Sequence, residues 1–299
     1  MSDIYTKEAL QKFLREIFPE EDLAEVSPVR IGGMSNFNYK VDINNKSYVL
    51  RIPGHGSSGM VERGIELCNS ALACELGINP KVIYFNVSSG IKLTDYIDGV
   101  VTFNKGSIQS EENIDRVAEI LLNLHESGKT LANRFDLFHE IDKYDSLVQD
   151  VGAKMYDGWE AFRERLKLIE FKLSLDESQL RPCHNDLVPE NFIQSKSGSI
   201  YLIDWEYSGM NDPVADIAAL FLECDFSESN KQKFLGAYYK KNVPCDIKER
   251  IICYQVLWDC LWSQWTVIKE AEGDDFGTYG IDRYKRALTS FKILEDYVR

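Results

Sequence analysis

The sequence predicts an α+β fold in two unequal parts: a small antiparallel-sheet region over residues 1–97 and a larger, mainly helical region over 98–299. Three observations carry this. Short apolar runs separated by turn residues fill the first hundred positions. Beyond Gly99 the apolar residues recur at helical spacing instead. Between 184 and 204 a loop and two short apolar runs interrupt the helices.

Taken in order, residues 6–18 place Leu10, Phe13, Leu14, Ile17 and Phe18 on one stripe, and Pro19 stops the run, which predicts an amphipathic opening helix. The runs 39–43 and 47–52 flank Asn44-Asn45-Lys46 and predict a β-hairpin. The Gly-rich stretch 54–59 reads as a loop, 62–76 as a helix, and 81–85 and 91–97 as strands. Ile114, Val117, Ala118, Leu121, Leu122 and Leu124 follow helical spacing, and so do 157–173 and 248–271. The sequence shows no repeat and no low-complexity segment.

A chain of 299 residues is long enough for one two-lobed domain or two modest ones. Its 34 basic and 48 acidic residues give a net charge of −14, which argues against nucleic acid and anionic membranes as partners and favours a small cation. The seven cysteines are scattered without a Cys-x-x-Cys pair, so neither a disulfide framework nor a zinc site is indicated. No run of 18 apolar residues is present, and the N-terminus lacks a basic run followed by an apolar one, so a soluble, cytoplasmic protein is expected, monomeric or homodimeric.

The chemistry concentrates in His184-Asn-Asp-Leu-Val-Pro-Glu-Asn191 and Ile200-Tyr-Leu-Ile-Asp204. If 195–199 is a hairpin turn, Gln194 faces Ile200, and counting back brings Asn191 within one residue of Asp204. An amide oxygen and a carboxylate then converge, a pair of hard donors suited to Mg²⁺. Asp186 would project toward the same end, where a carboxylate could take the proton of an attacking hydroxyl. Singly, each of the three also reads as a turn residue or strand cap; together they make a site.

His-Asn-Asp-x-x-x-x-Asn followed by Ile-Asp resembles the phosphotransferase signature of the aminoglycoside phosphotransferase and choline kinase superfamily, relatives of the protein kinases. The resemblance covers nearly the whole chain. It implies a two-lobed protein-kinase-like fold, with an N-lobe over 1–97 covering ATP and a C-lobe over 98–299 carrying the catalytic loop, metal and acceptor. Asp186 would be the catalytic base, and Asn191 and Asp204 the Mg²⁺ ligands. Arg30-Ile-Gly-Gly-Met-Ser-Asn36 is similar to the family's phosphate-covering loop, so Gly32, Gly33, Ser35 and Asn36 would meet the nucleotide. Arg51 would steady the phosphates with Glu66 as its partner, and Tyr96 and Ile97 would form the adenine hinge. Asp216 and His184 would steady the catalytic loop.

For the acceptor, the stretch from Asp204-Trp-Glu-Tyr207 to Glu223 resembles the choline kinase subgroup, and Glu206 and Glu223 would add negative charge beside Asp186. Trp258, Trp262 and Trp265 fall at offsets of four and three, followed by Phe276 and Tyr279. Such a stripe reads as core or as a cage. A trimethylammonium donates no hydrogen bond and is held by ring faces, each worth roughly 0.5–2 kcal/mol. Trp262 and Trp265 match the spacing of the choline kinases' paired tryptophans, and Trp258 is expected in the core. Choline is therefore the expected substrate, by closest resemblance to bacterial choline kinases serving surface polysaccharides. Ethanolamine, an aminoglycoside or a thio-sugar stays open as acceptor, and so does a catalytically silent nucleotide-binding module.

Overall fold

The computed structural model describes residues 5–32, 36–54, 59–173 and 176–297. The chain opens with α1 (Lys7–Ile17), capped by Thr6, whose hydroxyl accepts from the Ala9 amide at 3.2 Å. Strands β1 (Val29–Gly32), β2 (Asn36–Ile43) and β3 (Lys46–Pro53) follow. The β2–β3 hairpin turns through Asn44 and Asn45 with φ of 51° and 61°, left-handed values that asparagine tolerates better than most residues. After α2 (Arg63–Glu75), β4 (Val82–Phe85) and β5 (Lys92–Asp95) complete an antiparallel sheet of order β1-β2-β3-β5-β4. The α1 stripe buries Leu10 and Leu14 against Tyr39, Val41, Leu50 and Leu93 of this sheet.

The strand expected over 91–97 ends at Asp95. Tyr96 still donates its amide to Ser47 at 3.2 Å, and the chain then turns at Gly99, whose φ of 59° favours glycine. It enters a different sheet at β6 (Val101–Thr102), which pairs with a strand over 192–194.

The helical part comprises α3 (Lys105–Ile108), α4 (Glu111–His125), α5 (Leu137–Asp150), α6 (Trp159–Arg165) and α7 (Lys167–Leu173), then, after a stretch of short strands and loops over 181–211, α8 (Pro213–Glu223), α9 (Glu228–Tyr238), α10 (Ile247–Ala271) and α11 (Tyr279–Tyr297). The single helix expected over 157–173 is two: the Leu166 amide is shared between the carbonyls of Phe162 and Arg163, and the tightened turn breaks the ladder there. Helix α10 is buried along most of its length and forms the axis of the second core, packed by α5, α8 and α11. Ala73 of α2 and the following Ile78 join this second core rather than the sheet's, so α2 lies across the seam between the two lobes. Among the described residues, no helix is long and apolar enough to cross a membrane.

Candidate active site

Four short strands frame the loop that carries the expected chemistry. Strand β7 (Arg181–Cys183) pairs with β10 (Gly209–Asn211), and β8 (Phe192–Gln194) pairs with β9 (Ile200–Leu202) in the register Gln194↔Ile200, as counted from the sequence. The Ile203 amide donates to the Asn191 carbonyl at 2.9 Å, which sets Asn191 beside Asp204. Both Asn185 and Asp204 hold positive φ, 65° and 70°, a local backbone cost carried at the site.

Asp216, fully buried near the start of α8, pins the loop. Its carboxylate accepts the amides of His184 at 2.9 Å and Asn185 at 2.7 Å, and His125 Nε2 lies 3.0 Å away. The His184 ring bridges the two strand pairs. Nε2 donates to the Ile203 carbonyl at 2.9 Å, and Nδ1 accepts from the Asp186 amide at 3.3 Å. Burial pushes His184 down to about 4, so the ring is neutral and structural near neutrality.

Asp186 therefore sits on a braced loop. Asn191 Nδ2 donates to its carbonyl at 2.8 Å and to its carboxylate at 3.1 Å. Burial, then the neighbouring Asp204 and Glu223 carboxylates, push Asp186 up to about 8. Asp204 is pushed up to about 6 by desolvation and Glu206, although Arg51 opposes this.

On the sheet side, cations and carboxylates alternate. Arg51, 4% exposed, sends Nη2 to Glu66 at 2.7 Å and Nη1 to Glu206 at 2.7 Å and Asp204 at 3.1 Å. Lys92 Nζ meets Glu66 at 2.8 Å, and Arg63 Nη1 lies 2.8 Å from both Glu66 and Glu206. Against its own desolvation, Lys92 and Arg51 hold Glu66 well below the usual carboxylate range. Lys92 and Arg63 were not singled out from the sequence. Arg63 lies three residues before Glu66 on a helix, which was the available signal, whereas Lys92 stands opposite Arg51 only through the pairing of β3 with β5.

Glu206 is placed differently from the expectation of free acid beside the acceptor: besides Arg51 and Arg63, it accepts Asn36 Nδ2 at 3.0 Å, so its charge is already matched. Gly32 lies at a bulge with φ of 137°. Gly33 and Ser35 lie outside the described residues. Tyr96 stacks its ring under Lys40 Nζ at 4.8 Å, and the half-buried Ile97 follows it where the chain leaves the first sheet.

The aromatic side is continuous. Trp258 is fully buried, stacked on Phe135, and donates Nε1 to the Ala215 carbonyl at 2.9 Å, which makes it core. Trp262 and Trp265 lie further along α10, 8% and 9% exposed. Tyr207 stands edge-on to Trp262 at 5.1 Å, and Phe276 tilts against Trp265 at 4.9 Å. Tyr207 was not expected from the sequence. It lies three residues after Asp204, and its backbone carbonyl receives Asn185 Nδ2 at 3.0 Å, tying the aromatic row to the loop that carries Asp186. Glu223 is bound by Arg283, and the guanidinium lies 4.5 Å from the Tyr279 ring centroid, so Tyr279 has a cation on one face.

A braced carboxylate beside a pair of hard oxygens, with a cation cluster on one side and an aromatic row on the other, suits transfer of a phosphoryl group to a small cationic alcohol. Comparisons with known proteins agree. The chain is 33% identical over 274 residues to protein LicA of Haemophilus influenzae, covering 89% of this chain and 79% of that protein. The crystal structure of choline kinase LicA from Streptococcus pneumoniae superposes with a TM-score of 0.83 at 39% identity, covering 94% of this chain and 98% of that one. A crystal structure of LicA in complex with AMP superposes at 0.82, with 39% identity, 96% of this chain and 97% of that one. The choline/ethanolamine kinase family model matches residues 26–288, nearly the whole chain, and the chain belongs to that family.

Proposed function

We propose that the protein transfers the γ-phosphoryl group of ATP to the hydroxyl of choline, giving phosphocholine and ADP. The observation that carries this reading is Asp186, held by Asn191 Nδ2 at 2.8 and 3.1 Å, on a loop tied through Asn185 and Tyr207 to the aromatic row ending at Trp265 and Phe276. In this reading Asp186 orients the acceptor hydroxyl and receives its proton, while Asp216 and His184 fix the loop so that the approach is set before substrate arrives.

ATP lies between the lobes, its phosphates toward Arg51 and the segment of Gly32, Gly33, Ser35 and Asn36, its adenine at Tyr96 and Ile97. The donor set fits Mg²⁺. Asn191 spends its Nδ2 on Asp186, which leaves its carbonyl oxygen as the ligand atom, and the partly exposed Asp204 supplies a carboxylate. When bound, Mg²⁺ neutralises charge on the phosphate oxygens. Arg51 already rests on Asp204 and Glu206, so the same guanidinium stands ready beside the place where phosphate charge must be met.

Choline is favoured over hydrogen-bonding acceptors because Glu223 and Glu206 already have cationic partners. What remains for a cation is Asp186 and ring faces. ADP release measured with choline, ethanolamine, thiamine and an aminoglycoside tests this. The reading expects choline to give the highest kcat/KM; preference for any other acceptor overturns it.

A further inference from the structure

The end of α8 and the start of α11 hold a charge cluster that the phosphoryl-transfer chemistry does not require. Arg283, 4% exposed, places Nη2 2.6 Å from each carboxylate oxygen of Glu223. Its Nη1 reaches Asp259 at 3.2 Å, and Arg286 grips both oxygens of Asp259 at 2.7 Å. Two guanidinium groups thus face two carboxylates, and the cluster carries no net charge. Asp259 is fully buried one helical turn before Trp262, so the cluster is continuous with the aromatic row.

We propose that Arg283 is a specificity-determining residue: by matching the charge of Glu223 at both oxygens it makes them weaker acceptors for a primary ammonium and thereby favours a quaternary one. The inference rests on the amino-alcohol kinase reading above. A primary ammonium leaving water must replace three hydrogen bonds, and a carboxylate facing it would be the natural acceptor. A quaternary ammonium has none to replace, and ring faces suffice. With the charge of Glu223 already matched by a guanidinium, the first kind of substrate is penalised more than the second. The Arg283 guanidinium also lies 4.5 Å from the Tyr279 ring centroid, a second contact that holds it beside Glu223.

The test compares kcat/KM for choline and for ethanolamine in the native enzyme, Arg283→Lys, Arg283→Met, and Arg283→Met combined with Glu223→Gln, with thermal melting of each. Releasing Glu223 should raise the ethanolamine-to-choline ratio about tenfold in Arg283→Met and about threefold in Arg283→Lys. The gain should vanish when Glu223→Gln is added. If Arg283→Met fails to fold, Arg283→Lys decides alone, because it keeps the buried charge paired. An unchanged ratio in folded Arg283→Lys, with both substrates weakened together, overturns the proposal and makes Arg283 a packing residue; so does a gain that survives Glu223→Gln. A native enzyme that phosphorylates neither alcohol overturns the functional reading itself, a result recognisable before any variant is made.

Discussion

Asn191 donates its side-chain amide to both the carbonyl and the carboxylate of Asp186, at 2.8 and 3.1 Å, so one residue can serve the metal through its oxygen and the base through its nitrogen. The two duties separate by mutation. Asn191→Ala should lower kcat about a hundredfold and raise the Mg²⁺ concentration for half-maximal activity about tenfold. Asn191→Asp keeps an oxygen ligand but places like charge against Asp186, so it should retain Mg²⁺ dependence while losing turnover. Unaltered Mg²⁺ dependence in Asn191→Ala would remove it from the metal site.

Asp216 is the anchor of the catalytic loop, with no exposed surface and donors from His184, Asn185 and His125. Asp216→Asn turns one accepting oxygen into a donor facing N–H groups. The expected cost is about 2–4 kcal/mol of stability, together with loss of turnover. Urea denaturation checks the first; a variant as stable as the native protein contradicts the anchoring role.

His184 gives a pH dependence with a definite sign. Its folded value is depressed to about 4 from an ordinary 6.5, because burial disfavours the charged ring. Above pH 6.5 the ring is neutral in both folded and unfolded chains. As pH falls from 6.5 toward 4, only the unfolded chain gains the proton, and up to about 3 kcal/mol of stability is lost. Other groups titrate in the same window, so the measurement is the difference between native and His184→Gln denaturation at pH 7 and pH 4.5. Parallel losses in the two proteins would show that His184 is not responsible.

Trp262 and Trp265 differ from Trp258 in keeping a little exposed surface and in meeting Tyr207 and Phe276. Replacing either by leucine should weaken choline by roughly 1–2 kcal/mol, about five- to thirtyfold in KM, with ATP unaffected. Ethanolamine, which depends less on ring faces, should weaken less. Equal loss for both alcohols would reassign these tryptophans to the core.

The register of β8 on β9 was legible because a five-residue turn fixes which residues face each other, and that counting alone sets Asn191 by Asp204. The pairing of the cation on β3 with the carboxylate on α2 was what the family resemblance implied, and Arg51 does meet Glu66. The partners of Glu206 and Glu223 were not. Arg63 reaches Glu206 across 143 residues of chain and Arg283 reaches Glu223 across 60, pairings decided by how α2 and α11 settle on their neighbours. A local pattern records a residue's type but not which distant charge will neutralise it. For the same reason the sequence suggested a surplus of acid around the acceptor where the structure has matched ion pairs.

The most direct test follows phosphocholine formation from ATP and choline at saturating Mg²⁺, in the native protein and in Asp186→Asn, with nucleotide affinity measured alongside. The native protein should form phosphocholine, and Asp186→Asn should turn over about a hundredfold more slowly or worse while binding MgATP nearly as before. Undiminished turnover in Asp186→Asn, or a native protein that leaves choline unphosphorylated, would contradict the account.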